Sequence, residues 1–339
     1  MSFSGDLRPR RRAVAGALAA GVGVSLGAGL GACSGAARHS HLANRTLRAA
    51  VFRGGAETFL QPAGQAATPY RLSLAEFGAG NLITEAIIAG AIDIGSMSEI
   101  PPIFVAASNP PMRLVAVLKG DVNSQVVLVP RGSRITGLAG LRGKTIGYVR
   151  ATTSHYLLLR ILAEQGLTFA DIKPVGLSPQ DGRAAFERGS LDAWVAYGVQ
   201  AQAVRAGAGA RVLATGLGRL SGNYLFAAAR SALRDAGRRA AIGDFLGRIH
   251  RVNRWVEAHP DEWARRSSLA TGVPAAFYER QRRERSAPTS LAPVDAAAIA
   301  SQQSVADAFA QAGVLPARLD VSGLWDPALN PALEALVNT

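Results

Sequence analysis

The sequence lacks most of the residues on which metal and redox sites depend. It contains one cysteine, Cys33, among its 339 residues. That count excludes a disulfide within the chain and a cysteine-based metal site. Beyond the N-terminal region there is no zinc-ligand spacing, no P-loop and no dinucleotide-binding fingerprint. We therefore expect no metal and no cofactor.

Acidic residues are also scarce relative to basic ones. The chain has 24 Asp and Glu against 37 Lys and Arg, a formal net charge of +13, which is compatible with an anionic ligand or an anionic membrane surface. The basic residues are mostly scattered arginines, with one local cluster at Arg280, Arg282, Arg283 and Arg285. Because no aromatic-flanked basic motif accompanies this cluster, a solvated helix face explains it better than nucleic acid binding, and we expect no nucleic acid partner.

The composition nevertheless describes a chain that can bury a large core. Hydrophobic residues make up 48% and charged residues 18% of it, which disfavours both disorder and a coiled coil. At roughly 150 residues per domain, the length predicts two domains.

The N-terminus has the organisation of an export signal. Residues 8–12 read RPRRR, and residues 13–32 follow without a charge before Cys33, as in a basic region, an apolar stretch and a cleavage site. Residues 30–33, LGAC, look like a bacterial lipobox, and Arg11–Arg12 looks like a twin-arginine signal. The alternative is an uncleaved membrane helix, which the glycines and the absence of large apolar side chains disfavour.

We therefore predict an export signal peptide over residues 1–32, lipidation of Cys33, and a flexible tether over residues 33–45. These features predict a protein that is exported to the periplasm or to the outer face of the cytoplasmic membrane, anchored there through Cys33.

Strand-like and helix-like segments alternate up to residue 230, and helical patterns dominate from Ser231 onward. Alternation of this kind predicts an α/β fold with largely parallel sheets. In open α/β sheets, ligands bind beyond the carboxyl ends of the strands, so the polar turns between strands and helices are the places to search for a site.

The segment Thr152-Thr153-Ser154-His155 is the sharpest candidate, because it follows a predicted strand and opens a predicted helix. Hydroxyls and unpaired N–H groups at a helix N-terminus bind anions. A simple N-cap explains the same residues equally well. A Ser154–His155 dyad has poor geometry, because adjacent residues at a helix start point in different directions.

Two further turns follow the same logic. Ser96-Met97-Ser98-Glu99 lies between a predicted strand and helix, with Glu99 expected as an N-terminal capping carboxylate, and Gly78–Asn81 precedes another predicted helix. Three such turns could converge on one anion. Trp194 ends another strand, where it could line an apolar part of a pocket or belong to the core.

At these residues the chain resembles the aliphatic-sulfonate-binding proteins of bacterial ABC importers, within the nitrate/sulfonate/taurine-type solute-binding family. The densest similarity lies in AIDIGSMSEIPPIF (91–104), TSHYLLLRIL (153–162) and DGRAAFERGSLDAW (181–194). GNYLFAAAR (222–230) and APVDAAAIASQQSVADAF (292–309) are also similar. Several separate blocks in the same order make this resemblance specific.

The resemblance implies a two-lobed periplasmic-binding-protein-like fold of type II, with the ligand in the inter-lobe cleft. Residues 46–122 and 231–339 would form lobe one, and residues 123–230 would form lobe two. It implies a monomer that binds a small organosulfonate for sulfur uptake and delivers it to an ABC permease, without being an enzyme. Taurine, nitrate, a sulfate ester or a pyrimidine are the alternative ligands, and an enzyme of the thiamine-pyrimidine-synthesis type is the less favoured alternative.

The family holds its anionic head group with neutral donors at helix N-termini. The positions that match are Ser96, Ser98, Thr152, Thr153, Ser154 and His155, with Trp194 beside the pocket and Asn81 and Tyr224 as weaker matches.

Two departures from the family pattern concern the organic part of the ligand. The family typically continues Trp-Asp-Pro-Tyr after the tryptophan, whereas this chain reads Trp194-Val195-Ala196-Tyr197. The first loop also carries an acidic residue, Glu57, near the expected ligand position.

Overall fold

The structure is a computed structural model and describes residue 42, residues 44–207 and residues 209–338. Its strands are β1 (Thr46–Val51), β2 (Arg71–Glu76), β3 (Ile94–Ser98), β4 (Met112–Lys119), β5 (Val126–Val129), β6 (Thr145–Tyr148), β7 (Lys173–Gly176), β8 (Ala193–Ala196), β9 (Arg211–Thr215), β10 (Asn223–Ala229) and β11 (Ser290–Ala292).

The helices are α1 (Gly80–Ile88), α2 (Thr153–Glu164), α3 (Pro179–Glu187), α4 (Gly198–Gly207), α5 (Arg230–Arg234), α6 (Ala236–Ala258), α7 (Pro260–Thr271), α8 (Ala275–Glu284), α9 (Ala296–Gln311) and α10 (Asn330–Val337). Short 3-10 helices lie at Ala56–Phe59, Pro101–Ser108, Leu138–Leu141, Phe169–Asp171, Ser322–Leu324 and Pro327–Leu329.

Two sheets organise the described residues, which confirms the predicted α/β class. The first sheet has the strand order β11-β4-β10-β3-β1-β2, and the second has the order β7-β6-β8-β5-β9. In the first sheet β1 runs parallel to β2 and β3, and in the second sheet β6 runs parallel to β7 and β8. Strand β10 pairs antiparallel with β3 and β4, β11 with β4, and β5 with β8 and β9. Both sheets are therefore mixed, and the prediction of largely parallel sheets is wrong.

Local sequence signals explain several of the helix ends. Ser178 caps α3 by accepting a hydrogen bond from the Asp181 N–H, and Pro179 occupies the first turn. Asp235 and Asp295 cap α6 and α9 in the same way. These caps fix where the helices that cover the sheets begin.

Each sheet has its own core. The first sheet packs its buried strands against α1, α6 and α9, with Ile83, Ile94 and Phe245 among the fully buried residues. The second sheet is covered on both faces. Leu158 of α2 belongs to one of its clusters, and Phe186 of α3 belongs to the other. Each sheet and its own core form one lobe, so the fold has two lobes.

The strand Asn223–Ala229 corrects the predicted boundary between the lobes. Residues 123–230 are expected to form one lobe, but β10 pairs antiparallel with β3 and β4 of the first sheet. The chain therefore returns to the first sheet before residue 223. Strand β10 fills the gap between β3 and β4, which share no pairing of their own.

The connections between the sheets are tied to one another by hydrogen bonds. The Asp121 carboxylate accepts from the backbone N–H groups of Asn123, Ser124 and Ser286. The Tyr224 hydroxyl donates to the Asp121 carbonyl at 2.9 Å. These bonds join the β4–β5 connection to β10 and to the segment after α8. They therefore brace the crossover, the place where the chain passes from the first sheet to the second.

The predicted signal peptide (residues 1–32) and Cys33 lie outside the described residues. Among the helices that are described, none is long and apolar enough to cross a membrane. Arg45, at the end of the predicted tether, pairs with Asp235 at the start of α6 (3.2 Å).

Candidate functional site

The carboxyl ends of the parallel strands of the two sheets face each other. The loops that follow β1, β2 and β3 share one edge of the first sheet, because these strands are parallel. The loops after β6, β7 and β8 share one edge of the second sheet for the same reason. Gly78 of the first edge lies against Gln180 of the second, where a Cβ on the glycine would be 3.2 Å from the Gln180 Nε2.

The N-terminus of α2 presents unpaired N–H groups at the second edge. The first backbone bond of the helix runs from the Tyr156 N–H to the Thr152 carbonyl, which leaves the N–H groups of Thr153, Ser154 and His155 without a helical partner. Thr152 is the N-cap residue, but its hydroxyl does not cap them; it donates to the Val149 carbonyl instead (2.8 Å). Open N–H groups and the positive end of the helix dipole attract an anion here.

The turn before this helix is held in a constrained shape. Ala151 adopts φ 55°, a left-handed conformation that costs a residue with a Cβ about 1–2 kcal/mol. Its N–H donates to the His155 Nδ1 at 3.3 Å. Hydrogen bonds from both sides of the turn thus stabilise a strained backbone at the point where the open N–H groups begin.

Thr153 and Ser154 play different parts. The Ser154 hydroxyl is fully occupied, because it donates to the Val195 carbonyl (2.6 Å) and accepts from the Val149 N–H (3.1 Å). It fastens the start of α2 to the ends of β6 and β8. The Thr153 side chain lines a small cavity together with Ser98 and Tyr224. Ser154 therefore offers a ligand its N–H, whereas Thr153 also offers a hydroxyl.

His155 lies in an aromatic cluster. Its ring centroid is 5.0 Å from that of Tyr148 and 5.1 Å from that of Phe309, and Phe104 and Phe169 complete the cluster. Burial, reinforced by the charge of Arg150, lowers the His155 pKa to about 4, so the ring is neutral at pH 7. Packing holds the ring between elements of the two lobes, and the role of His155 in ligand binding stays a prediction.

Ser96 and Ser98 lie on a strand and not in the predicted polar turn. Strand β3 continues through Ser98 because β10 pairs with it as far as Tyr224 opposite Ser98. The two serines share the face opposite Met97, whose side chain packs against Gly80 of α1. Both are half-buried, and Ser98 lines the cavity that contains Thr153.

Glu99 does not cap the helix that follows it, contrary to the expectation. Its carboxylate accepts from the hydroxyls of Ser221 (2.5 Å) and Ser301 (2.9 Å), and the 3-10 helix Pro101–Ser108 has no side-chain cap. Burial raises the Glu99 pKa, and these hydroxyls limit the rise. The long-range bonds attach the end of β3 to the β9–β10 connection and to α9.

Asn81 lies at a second open helix end. It occupies the first turn of α1, whose N-cap residue Ala79 supplies no side-chain hydrogen bond. The Asn81 Oδ1 is buried without a hydrogen-bond partner among the described residues. This N-terminus follows β2 and lies at the edge where Gly78 meets Gln180.

The structure places Trp194 and Tyr224 in structural positions. Trp194 is 1% exposed in the core between β8 and α3, where a Cβ on Gly182 would be 2.6 Å from its Nε1. Strand alternation turns the ring toward α3, and the expectation that Trp194 flanks the pocket stays a prediction. The Tyr224 hydroxyl accepts from the Gln125 Nε2 (3.1 Å) besides donating to Asp121, so its ring borders the cavity while its hydroxyl braces the crossover.

Tyr197 is the aromatic residue that the second edge presents instead. It follows β8, and its hydroxyl is buried without a hydrogen-bond partner among the described residues. Burial raises the pKa of Tyr197 to about 12. The sequence indicates Tyr197 only by its position, three residues after Trp194 and at the end of a predicted strand.

No group of three or more His, Cys, Asp or Glu side chains that could hold a metal ion occurs among the residues that the structure describes. The candidate residues at the two facing edges, Ser98, Asn81 and the start of α2, offer hydroxyl, amide and backbone N–H groups. Such a set binds an oxyanion through hydrogen bonds.

Comparisons with known proteins agree with this geometry. The family described as "NMT1/THI5 like" matches residues 72–262. A putative aliphatic sulfonates-binding protein of Escherichia coli (strain K12) is 33% identical over 258 residues, which cover 76% of this chain and 80% of that protein.

Two solved structures of similar proteins share the architecture. The periplasmic aliphatic sulphonate binding protein from Escherichia coli has a TM-score of 0.70 at 30% identity, covering 84% of this chain and 92% of that one. The alkanesulfonate-binding protein from Xanthomonas axonopodis pv. citri, bound to MOPS, has a TM-score of 0.73 at 30% identity, covering 83% and 98%. The two-lobed fold expected from the sequence is thereby confirmed. The chain belongs to the NMT1/THI5-like family and, within it, to the aliphatic-sulfonate-binding proteins.

Proposed function

We propose that the chain is the extracytoplasmic substrate-binding component of an ABC importer and that it binds a small organosulfonate. The observation that carries this proposal is the open N-terminus of α2, with the free Thr153 hydroxyl beside it, in a chain 33% identical to a sulfonate-binding relative. A sulfonate has three oxygens that accept hydrogen bonds and one negative charge. Both match a helix end that has open N–H groups and a positive dipole.

In the proposed site, the head group accepts bonds from the N–H groups of Thr153, Ser154 and His155 and from the Thr153 hydroxyl. Ser98, and Ser96 behind it, approach from the first lobe. Asn81 and Tyr197 supply the unpaired polar atoms at the rim. Because all these donors are neutral, the anion is bound without a paired cation, and release requires no ion pair to break.

Lobe closure would provide the coupling to transport. The Tyr278 hydroxyl of α8 donates to the Gln202 Oε1 of α4 at 3.1 Å and lies 2.7 Å from the Thr271 hydroxyl. The Tyr278–Gln202 bond crosses from the first lobe to the second, and the Thr271 contact holds the Tyr278 hydroxyl within the first lobe. A ligand that bridges both lobes favours this closed arrangement, since a ligand shifts an equilibrium only through its different affinity for the two states.

A binding role also accounts for the side chains better than catalysis does. A Ser–His dyad is not formed, because the Ser154 hydroxyl is held by Val149 and Val195 while the His155 Nδ1 accepts from Ala151. We therefore infer that the protein releases its ligand chemically unchanged.

Export and anchoring complete the proposal. The N-terminal signal and Cys33 would place the protein in the periplasm as a lipid-anchored monomer beside its permease. Cys33→Ala should release the protein from membranes in cell fractionation; a variant that stays in the membrane fraction would contradict the anchor.

The experiment that tests the binding function is a thermal-shift screen of the chain starting at Ser34, because the described residues belong to one compact unit. The probes are alkanesulfonates, taurine, sulfate esters and nitrate. A ligand at a hundred times its dissociation constant adds about 2.7 kcal/mol to the free energy of unfolding. Stabilisation by a sulfonate that Thr153→Ala reduces is the expected result. No shift with any sulfonate would overturn the proposal.

A further inference from the structure

Glu99 is the acidic residue among those that line the small cavity of the proposed site. It shares this cavity with Thr153 and Ser98, and it is 3% exposed. Glu99 follows β3 and belongs to the first lobe, whereas Thr153 begins α2 in the second. An anion that accepts from the Thr153 hydroxyl therefore lies beside a buried carboxyl group.

The partners of this carboxyl group can reverse the direction of their hydrogen bonds. The hydroxyls of Ser221 and Ser301 donate to its two oxygens, at 2.5 Å and 2.9 Å. A hydroxyl accepts as well as donates, so the same serines can also serve a protonated carboxyl group. Burial raises the Glu99 pKa, and the side chains of Ser221, Ser301 and Asn223, all uncharged, limit the rise.

Asp93, which is also buried, has partners of a different kind. Its carboxylate pairs with Arg48 and Arg238 and accepts from the Arg48 backbone N–H. These groups can only donate, so they require a carboxylate that accepts. Glu99, with hydroxyl partners, can gain a proton without losing them.

The charged side chains of the elements around Glu99 have partners of their own. Asp307 of α9 pairs with Arg318 at 2.9 Å. Arg219 of the β9–β10 connection pairs with Glu164 of α2 at 2.8 Å. The 3-10 helix that follows β3 has the sequence PPIFVAAS and carries no charge. These elements therefore supply the carboxyl group with no counter-ion.

The titratable groups at the start of α2 and at the crossover do not supply one either. The charge of Glu99 contributes to raising the Tyr156 pKa, whereas Arg160 lowers it. The His155 pKa is about 4, so this ring is neutral at pH 7. The Asp121 carboxylate accepts from backbone N–H groups of the crossover.

We propose that Glu99 takes up a proton from solvent when the sulfonate binds, so that the cleft captures the anion together with one proton. The inference rests on the proposed function, because the charge of the bound head group drives the uptake. A negative charge beside a carboxylate favours its protonated form. The new O–H bond forms at a Glu99 oxygen and donates to a serine hydroxyl, while the sulfonate stays ionised. Binding is then tighter at lower pH.

Isothermal titration calorimetry measures the proton uptake. Ethanesulfonate, which has no group that titrates between pH 5.5 and 8, is titrated over this range into the chain starting at Ser34. The buffers are bis-Tris and Tris, which contain no sulfonate and differ in ionisation enthalpy, so the difference in heat counts the protons. The wild type should take up at least about 0.5 proton per bound ligand at the maximum, and its affinity should fall by up to about tenfold per pH unit as the pH rises through that region.

Two variants identify the group that takes up the proton. Glu99→Gln has a neutral side chain at every pH and should lose both the proton uptake and the pH dependence of affinity. Glu57→Gln is the matched control, because Glu57 is also buried in the first lobe and burial raises its pKa to about 7. This control should retain the uptake.

A third variant keeps the test decisive if Glu99→Gln does not fold. Ser301→Ala removes one donor to the carboxylate, which should raise the Glu99 pKa and move the pH profile of sulfonate affinity to higher pH. A purely structural role of Ser301 would leave the position of that profile unchanged.

The two levels of the proposal fail differently. Sulfonate binding without proton uptake at any pH in this range would overturn the role of Glu99 and leave the binding function intact. Uptake that survives Glu99→Gln, or that disappears in Glu57→Gln, would do the same. Absence of ethanesulfonate binding at every pH would overturn the proposed function and this inference together.

Discussion

Ser154 and Thr153 are neighbours with hydroxyls of different roles, and their alanine variants should therefore fail in different ways. Ser154→Ala removes the acceptor of the Val149 N–H and the donor to the Val195 carbonyl. Both backbone partners are buried. Leaving a buried polar group unsatisfied costs about 1–3 kcal/mol, so the free energy of unfolding should fall by about 2–4 kcal/mol.

Thr153→Ala removes a hydroxyl that lines the cavity and makes no hydrogen bond to a described residue. We expect the free energy of unfolding to fall by about 1 kcal/mol or less, because one buried methyl group is lost and no hydrogen bond is broken. Sulfonate affinity should fall by about 1 kcal/mol, or roughly fivefold, for the loss of one hydrogen bond.

Urea unfolding and calorimetric titration of both variants measure the two quantities side by side. Ser154→Ala should lower the urea midpoint and retain most of its sulfonate affinity once folded. Thr153→Ala should keep a urea midpoint close to that of the wild type and lose sulfonate affinity. A Ser154→Ala variant of wild-type stability that no longer binds sulfonate would refute the assignment, because the serine hydroxyl would then belong to the ligand.

Three further predictions concern the contacts around the cleft. Tyr224→Phe loses the bonds to Asp121 and Gln125 and should destabilise the protein by about 1–2 kcal/mol in urea unfolding; an unchanged midpoint would contradict the bracing role. Tyr278→Phe loses the bond to Gln202 and should weaken ligand binding by about two- to fivefold in calorimetry, with small-angle scattering showing a more open unliganded form; equal affinity would remove this contact from closure. His155 has a folded pKa of about 4 against 6.5 when unfolded, so its neutral form contributes on the order of 3 kcal/mol above pH 6.5, and this stability is lost as the pH falls toward 4. His155→Phe should flatten that part of the pH–stability curve, and an unaltered curve would show that other groups cause the decline.

Local signals in the sequence are sufficient to predict several helix starts and the edge of each sheet at which the open helix ends lie. The strand-then-helix pattern around Thr153 and the Ser178-Pro179 cap signal both predicted helix starts that the structure contains. Parallel strands then place their carboxyl ends at a common edge, which brings Gly78 toward Gln180. The α/β class and the open helix ends follow from short-range chemistry of this kind.

The partners of the polar side chains could not be derived in the same way. Ser154 bonds to Val195, 41 residues away, and Tyr224 bonds to Asp121, 103 residues away. Hydroxyl groups at a helix start look alike in a sequence, whether tertiary contacts occupy them or leave them free. The direction of the Trp194 side chain could not be predicted either, because the sequence does not say which face of β8 packs against α3.

The occupied hydroxyls fix the backbone at the open end of α2. The Thr152 hydroxyl bonds to Val149, and the Ser154 hydroxyl bonds to Val149 and Val195. Ala151, which lies in the same turn, has a left-handed backbone conformation. The N–H groups that remain therefore have fixed directions before any ligand arrives, which lowers the cost of ordering them on binding. The free energy of binding is then available for closing the lobes. It follows that the turn at residues 149–155 should keep one conformation in the free and liganded protein, while the separation of the two lobes changes.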